Sequence, residues 1–164
     1  MENLWAPWRM EYIKSDKTAG ECIFCQKPKQ DNDLQNLILY RGSTAYVIMN
    51  YYPYNNGHLM VVPYRHLSDF TELTSVERVE VMELVGDSIQ VLRKDMGPQG
   101  FNFGANLGKI AGAGIAEHLH FHVVPRWGGD TNFMPVVGHT KVVSEALFDT
   151  CRRLQQIFTE LKTK

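Results

Sequence analysis

Residues 118–124 alternate histidine with large apolar side chains, and no other feature constrains the fold of this chain as strongly. In an extended strand, every second side chain points to the same face of the sheet. His118, His120 and His122 would therefore share one face, while the apolar residues between them pack into a core on the other face. The pattern predicts a strand over residues 118–124, in a sheet with one buried face.

Further strands are predicted where β-branched and aromatic residues cluster between turn-forming residues. They cover residues 37–40, 45–49, 58–62 and 101–107. Short connections between the first three favour antiparallel pairing, because parallel neighbours need a long crossover.

Two amphipathic helices are predicted from apolar residues at helical spacing. The first has a capping box at Thr74 and Glu77 and ends at Gly97. The second begins with Ser144 as its cap. Their core-facing stripes are expected to be Val76, Val79, Met82, Val85, Ile89 and Leu92 in the first helix, and Leu147, Phe148, Cys151, Leu154, Phe158 and Leu161 in the second.

Strands and helices do not alternate along the chain, so the expected class is α+β. We predict an antiparallel sheet of about five strands, one or two packing helices and an extra C-terminal helix. A chain of 164 residues with 44% hydrophobic residues fits one domain over residues 1–164. Within it, residues 1–35 are expected to be an irregular segment with a zinc knuckle, and residues 128–164 a C-terminal extension with the helix.

Charge and hydrophobicity exclude several classes of partner. The net charge of -1 provides no basic field for duplex nucleic acid, so no nucleic-acid partner is expected. The sequence has neither the basic start and apolar stretch of a secretory signal nor an apolar run long enough to span a bilayer. We therefore expect a cytoplasmic protein with no membrane partner.

The three histidines favour phosphoryl transfer from a nucleotide, with His120 in the middle as the nucleophile. A neutral imidazole is a good nucleophile near pH 7, because its unperturbed pKa is about 6.5. Its neighbours can donate hydrogen bonds to phosphate oxygens and to the leaving group. Directly upstream, Gly108, Gly112 and Gly114 allow backbone amides to converge around an anion. The alternative is a zinc site made of the three histidines.

The spacing of Cys22 and Cys25 occurs both in redox motifs and in zinc knuckles, and it can also arise by coincidence. A redox pair requires a helix N-terminus within a βαβ unit, and the sequence offers neither. A zinc ion would require two further ligands, which distant histidines could supply.

The segment 118–124 is similar to the signature of the histidine-triad family of nucleotide hydrolases and transferases. The resemblance extends over roughly residues 20–127 and includes the stretches 49–50 and 57–63. The flanks at residues 4–10 and 125–133 resemble the bacterial branch that contains diadenosine tetraphosphate phosphorylases.

This resemblance implies catalytic roles for three histidines. His120 would attack the α-phosphorus and form a nucleotidyl-histidine. His122 would bind phosphate oxygens and assist the leaving group, and His58 would complete the constellation. The implied substrate is a dinucleoside polyphosphate with adenine bases, and the implied acceptor is inorganic phosphate or water. A nucleotide-binding module with little turnover, or a hydrolase of other nucleoside phosphate derivatives, is the alternative.

The resemblance also implies nucleotide-binding residues. Asn50 would bond the ribose hydroxyls, while Asn106 and the amides around Ala113 and Gly114 would hold the phosphates, together with His120 and His122. Family members often place Ser or Thr near Gly114, and this chain offers only backbone there.

In several histidine-triad proteins, and in the related galactose-1-phosphate uridylyltransferases, a similar cysteine pair joins two histidines around zinc. The matching positions here imply a structural zinc site of Cys22, Cys25, His66 and His118, with no organic cofactor. Family members commonly pair through the helix and sheet edge, which implies a homo-oligomer. His139 is expected in a loop.

Overall fold

The computed structural model describes residues 22–130 and 146–163. Its strands form one antiparallel sheet in the order β1-β2-β3-β5-β4. The strands are β1 Ile38–Arg41, β2 Ala45–Met49, β3 Leu59–Pro63, β4 Gly100–Gly104 and β5 Phe121–Arg126. The α-helices are α1 Ile23–Gln26, α2 Asp33–Asn36, α3 Ser75–Met96 and α4 Leu147–Lys162, and single 3-10 turns cover Lys27–Lys29 and Phe70–Glu72. The predicted α+β class with an antiparallel sheet is confirmed.

The histidine segment enters the sheet later than predicted. Strand β5 begins at Phe121, so only His122 of the three histidines lies within it. The reason is the end of its neighbour β3 at Pro63, which has no N–H to donate. The carbonyl of Pro63 instead accepts a hydrogen bond from His118 Nε2 at 2.9 Å. The predicted strand over 118–124 is therefore wrong in its first three residues.

Three other predicted strands also differ at their ends, and the first of them, β1, covers Ile38–Arg41 rather than residues 37–40. Strand β4 stops at Gly104 rather than at residue 107, because the chain turns there into the glycine-rich loop. Strand β3 starts at Leu59, since the amide of His58 closes a turn by donating to the carbonyl of Asn55 at 3.1 Å.

Helix α3 begins and ends where the sequence predicts. The amide of Glu77 donates to Thr74 Oγ1 at 3.2 Å, and Glu77 Oε2 accepts from the amide of Thr74 at 2.7 Å, so the capping box is present. Gly97 ends the helix in the left-handed conformation, with φ of +55°.

The predicted core stripe of α3 is wrong in its first half. Val76, Val79 and Met82 are 69%, 58% and 54% exposed. The buried face, which packs on β2 and β3, consists instead of Glu77, Val81, Leu84, Val85, Ser88, Val91 and Leu92. Apolar residues occur on two faces of this helix, and only packing against the sheet selects one of them.

Helix α4 buries Cys151, Leu154 and Phe158 completely, as predicted. Phe148 is 41% exposed, and its predicted burial is wrong. Leu147 lies on the buried stripe, one turn before Cys151. Phe148 is the next residue, about 100° further around the helix, and therefore lies off that stripe. The predicted cap Ser144 lies outside the described residues, as does His139.

The sheet and its two longer helices enclose a continuous apolar core. In the described part of the chain, no helix combines the length and hydropathy needed to cross a membrane. The division into segments 1–35 and 128–164 within one domain stays a prediction. The expectation that the first segment is irregular is wrong for its described residues, which form α1, a 3-10 turn and α2.

Candidate functional site

His120 is held as a neutral ring with one nitrogen available for reaction. Its Nδ1 lies 2.8 Å from the carbonyl oxygen of His118. Because a carbonyl only accepts hydrogen bonds, Nδ1 carries the proton and Nε2 keeps its lone pair. His120 is 6% exposed, and this burial lowers its pKa below the ordinary value, against the opposing effect of the hydrogen bond. The ring therefore has the protonation state that a nucleophile needs.

His58 and His122 form a directed pair beside it. The amide of Tyr54 donates to His58 Nδ1 at 3.1 Å, so the proton of the neutral His58 ring lies on Nε2. His58 Nε2 lies 2.9 Å from His122 Nδ1 and donates to it. His122 accepts at Nδ1 and consequently carries its own proton on Nε2. The result is a donor nitrogen on His122 next to the bare nitrogen of His120.

Aromatic rings pack on both sides of this constellation. The ring centroids of His120 and His122 are 4.9 Å apart. Phe24 lies 5.0 Å from His120, and Tyr54 lies 4.6 Å from His58. Neither aromatic residue was predicted from the sequence. The sequence offered one signal for each. Phe24 is an apolar residue between the two cysteines, and Tyr54 is a tyrosine just before the turn that leads into β3.

Asn50 lies at the end of β2, next to the histidine pair. Its backbone amide donates to the carbonyl of His58 at 2.9 Å. Its side-chain Oδ1 accepts from the amide of Tyr52 at 3.0 Å, and Nδ2 lies 3.3 Å from His58 Nδ1. The structure therefore brings Asn50 to the catalytic candidates.

The glycine-rich loop connects β4 to the histidine segment and is closed by its own hydrogen bonds. Asn106 Nδ2 donates to the carbonyl of Gly112 at 3.3 Å. The amide of Ala113 donates to the carbonyl of Gly108 at 3.2 Å. Gly108 and Gly112 have φ of +82° and +88°, which favours glycine at both positions. Asn106, Ala113 and Gly114 thus belong to one loop, whose preceding strand pairs Gly104 with His122.

The predicted metal ligands converge on one point. The ligand atoms of Cys22, Cys25, His66 and His118 all lie within 4.8 Å of one another. His118 Nδ1 is 3.2 Å from Cys22 Sγ, 3.4 Å from Cys25 Sγ and 3.2 Å from His66 Nδ1. A tetrahedral zinc ion with its usual bond lengths separates its ligand atoms by about 3.3–3.8 Å, and the three separations from His118 Nδ1 lie close to this range. Two thiols and two imidazoles are also a donor set that suits zinc.

The state of His118 agrees with a ligand role. Its Nε2 donates to the carbonyl of Pro63, which leaves the lone pair on Nδ1, the atom that faces the cysteines. Burial is the main cause that lowers its pKa, so the ring is neutral. The alternative zinc site of three histidines is not favoured, because His120 turns its Nδ1 to a carbonyl while His118 turns its own to the cysteines.

Comparison with known proteins identifies the family. The HIT domain model matches residues 32–129. An AP-4-A phosphorylase of Mycobacterium tuberculosis strain H37Rv is 43% identical over 161 residues, which cover 94% of this chain and 83% of that protein. The chain therefore belongs to the HIT domain family, and the predicted likeness to the diadenosine tetraphosphate phosphorylase branch is confirmed.

Solved structures share the fold. A Zn-bound histidine triad family protein from Mycobacterium smegmatis superposes with a TM-score of 0.70 at 23% identity, over 87% of this chain and 96% of that one. The Plasmodium falciparum diadenosine triphosphate hydrolase, solved with Cyclomarin A, gives a TM-score of 0.59 at 15% identity, over 79% of each chain.

Proposed function

We propose that this protein is an enzyme that cleaves dinucleoside polyphosphates through a nucleotidyl intermediate on His120. The observation that carries the proposal is the hydrogen bond from His120 Nδ1 to a carbonyl, because it directs the reactive lone pair to Nε2. The 43% identity to a protein named AP-4-A phosphorylase favours diadenosine tetraphosphate as the substrate.

In the first half-reaction, His120 Nε2 forms a bond to the α-phosphorus as the bond to the bridging oxygen breaks. The electrons of that bond remain on the departing nucleotide, which from diadenosine tetraphosphate is ATP. Because a phosphate anion is a stable leaving group near pH 7, a hydrogen bond from His122 Nε2–H is sufficient to assist it. His58 keeps that proton on Nε2 by donating to Nδ1 of His122.

In the second half-reaction, an acceptor oxygen bonds to the phosphorus, and the bond electrons return to His120 Nε2. Inorganic phosphate bonds through an ionised oxygen and gives ADP, whereas water releases a proton to the solvent as it bonds to the phosphorus and gives AMP. The relative's name favours phosphate. Asn50 is proposed to bind the ribose hydroxyls, and Asn106 with the amides around Ala113 and Gly114 to bind the phosphates.

The test is product analysis with diadenosine tetraphosphate, with and without inorganic phosphate. A phosphorylase forms ATP and ADP only when phosphate is present, whereas equal formation of ATP and AMP in both conditions identifies a hydrolase. His120→Ala should reduce turnover by about 10⁴-fold or more, because the intermediate cannot form. His139→Ala is the matched control and should retain turnover. Full activity of His120→Ala would refute the mechanism.

We propose a structural zinc ion at Cys22, Cys25, His66 and His118. Such an ion would supply no chemistry to the reaction and would fix α1 to the end of β3. Burial and the neighbouring Cys22 raise the pKa of the Cys25 thiol, so a bound cation is what would favour its thiolate. Free thiols at both cysteines accord with the reducing cytoplasm expected from the sequence.

We also propose a homodimer formed through β4. The two edges of the sheet differ: α4 covers β1, where Gln155 Nε2 donates to the carbonyl of Ile38 at 2.7 Å. At the other edge, β4 pairs only with β5 among the described residues. An open strand edge invites pairing with a second chain.

Apolar side chains surround this open edge. Phe103 is 45% exposed and Phe70 is 42% exposed, and both rings pack against Phe121, at 6.3 and 6.0 Å. A second copy of the chain, pairing β4 with β4, would bury these side chains.

A further inference from the structure

Just beyond the end of β5, the carboxylate of Asp130 accepts four hydrogen bonds from three other described residues. Arg126 Nε and Nη2 donate to its two oxygens at 2.6 and 2.9 Å. The amide of Trp127 donates at 3.2 Å, and Asn55 Nδ2 donates at 2.6 Å. The side chain of Asp130 is only 11% exposed, and the Arg126 guanidinium holds its pKa well below the ordinary value. Such a carboxylate is a fixed anchor rather than a solvated surface group.

The anchor connects β5 to the loop that precedes β3. Asn55 Nδ2 also donates to the carbonyl of Pro125 at 3.1 Å, so this amide holds both the strand end and Asp130. The carbonyl of Asn55 accepts from the amide of His58, which closes a four-residue turn. Gly57 in this turn has φ of +75°, and a Cβ there would lie 2.8 Å from Met96 Sδ. The turn therefore has little freedom once Asn55 is fixed.

The residue just before this turn presents the closer of the two donors that fix the tautomer of His58. Tyr54 directly precedes Asn55, and its N–H donates to His58 Nδ1 at 3.1 Å, whereas Asn50 Nδ2 lies 3.3 Å from the same nitrogen, so loss of the Tyr54 N–H leaves the weaker donor alone. If Asn55 were released, the N–H of Tyr54 would lose its alignment, and the proton of His58 could move to Nδ1. His58 would then no longer donate to His122 Nδ1, and His122 could lose the proton from Nε2.

We infer that Asp130 is a positioning residue: through Asn55 it fixes the Tyr54 amide, and this amide keeps His58 and His122 in the tautomers that assist the leaving group. The inference rests on the proposed function for its effect on catalysis. The hydrogen bonds that carry it do not depend on any substrate.

A second Arg–Asp pair provides a matched control. Arg153 Nε and Nη2 donate to the carboxylate of Asp95 at 2.5 and 2.9 Å, and Asp95 is 5% exposed. This pair joins α4 to α3. Asp95→Asn removes a similar buried charge without touching the turn at Asn55.

The experiment compares Asp130→Asn, Asn55→Ala, their double variant and Asp95→Asn in the full-length enzyme. Steady-state kinetics with diadenosine tetraphosphate, thermal unfolding and the ¹⁵N resonances of the histidine rings are measured for each. We expect Asp130→Asn and Asn55→Ala to lower kcat by about 10- to 100-fold with little change in KM, since misplacement of a catalytic group has effects of this order. The double variant should be no slower than the slower single variant, because both substitutions break one connection.

The histidine spectrum gives the decisive signature. His58 should be protonated at Nε2 alone in the wild type and in Asp95→Asn, and should become a mixture of tautomers in Asp130→Asn and in Asn55→Ala. An unchanged His58 spectrum in Asp130→Asn would overturn the inference, and so would a kcat no lower than that of Asp95→Asn at equal folded fraction. If the wild type does not turn over dinucleoside polyphosphates, the proposed function fails, and the spectrum alone still decides the inference.

Discussion

At the scale of single residues, the site depends on which nitrogen of each imidazole carries the proton. A main-chain carbonyl fixes His120, and the main-chain amide of Tyr54, with Asn50 Nδ2 beside it, fixes His58. Main-chain groups do not titrate near pH 7, so they assign the tautomers firmly. The tautomer of His122 is set by the side chain of His58 rather than by a main-chain group, so it is the least firmly fixed of the three.

His122→Ala should therefore lower kcat by about 10²- to 10⁴-fold for diadenosine tetraphosphate, because the hydrogen bond to the leaving group is lost. The loss should be much smaller for an adenosine 5′-phosphate ester with an activated leaving group such as nitrophenol, which needs little assistance. Kinetics on both substrates measure the difference. Equal losses on the two substrates would assign His122 to binding rather than to departure of the leaving group. Phe148→Ala, on the exposed side of α4, is the control for unspecific effects.

At the scale of elements, short α1 is too small to be stable alone, and its contacts decide its position. Cys22 precedes it and Cys25 lies within it. Between them, Phe24 packs its ring on His118 and His120 and is 2% exposed. The carbonyl of Phe24 accepts from the hydroxyl of Tyr46 at 2.8 Å. The proposed metal ligands and the proposed nucleophile thus share one aromatic neighbour.

Cys22→Ser should abolish zinc binding and lower the melting temperature, because α1 loses its attachment to His66 and His118. Activity should fall as well, since Phe24 is then no longer held against His120. Metal analysis by mass spectrometry and thermal unfolding measure these effects. Cys151→Ala, in the core and not among the four ligands, should keep its zinc. A full zinc content in Cys22→Ser would contradict the proposed ligand set.

At the scale of the whole molecule, the two edges of the sheet differ in whether a helix covers them. Helix α4 covers β1, and Phe158 stacks on Tyr40 with ring centroids 5.9 Å apart. Arg153 and Lys94 form ion pairs with Asp95 and Glu160 that hold α4 on α3. Strand β4 ends the sheet with Phe103 exposed, which makes this edge the better candidate for contact between two copies.

Phe103→Glu should convert a dimer into a monomer, because it places a charge in the centre of the apolar surface at β4. Size-exclusion chromatography with light scattering should give about twice the mass of one chain for the wild type and a single chain mass for the variant. Phe148→Glu replaces a similarly exposed phenylalanine on the opposite edge and should remain dimeric. A monomeric wild type, or a dimeric Phe103→Glu, would exclude pairing through this edge.

Some features are determined by the sequence alone because they depend on local chemistry. The capping box at Thr74 and Glu77 acts within one turn, and Gly97 ends α3 through its own backbone freedom. Clusters of β-branched and aromatic residues between turn-forming residues similarly predict the strands of the sheet and the class of the fold. The resemblance of residues 118–124 to a known signature identified the family that the comparisons confirm.

Other features were decided only by the tertiary structure, because they join residues far apart in the chain. Val76, Val79 and Met82 have the spacing of a buried stripe, and only the position of the sheet leaves them exposed. Pro63, by ending β3, determines where the histidine segment enters the sheet. The link from Asp130 to Asn55 spans 75 positions, and no local pattern reports a hydrogen bond of that kind. The sequence supplies the imidazoles, whereas the folded backbone assigns their protons.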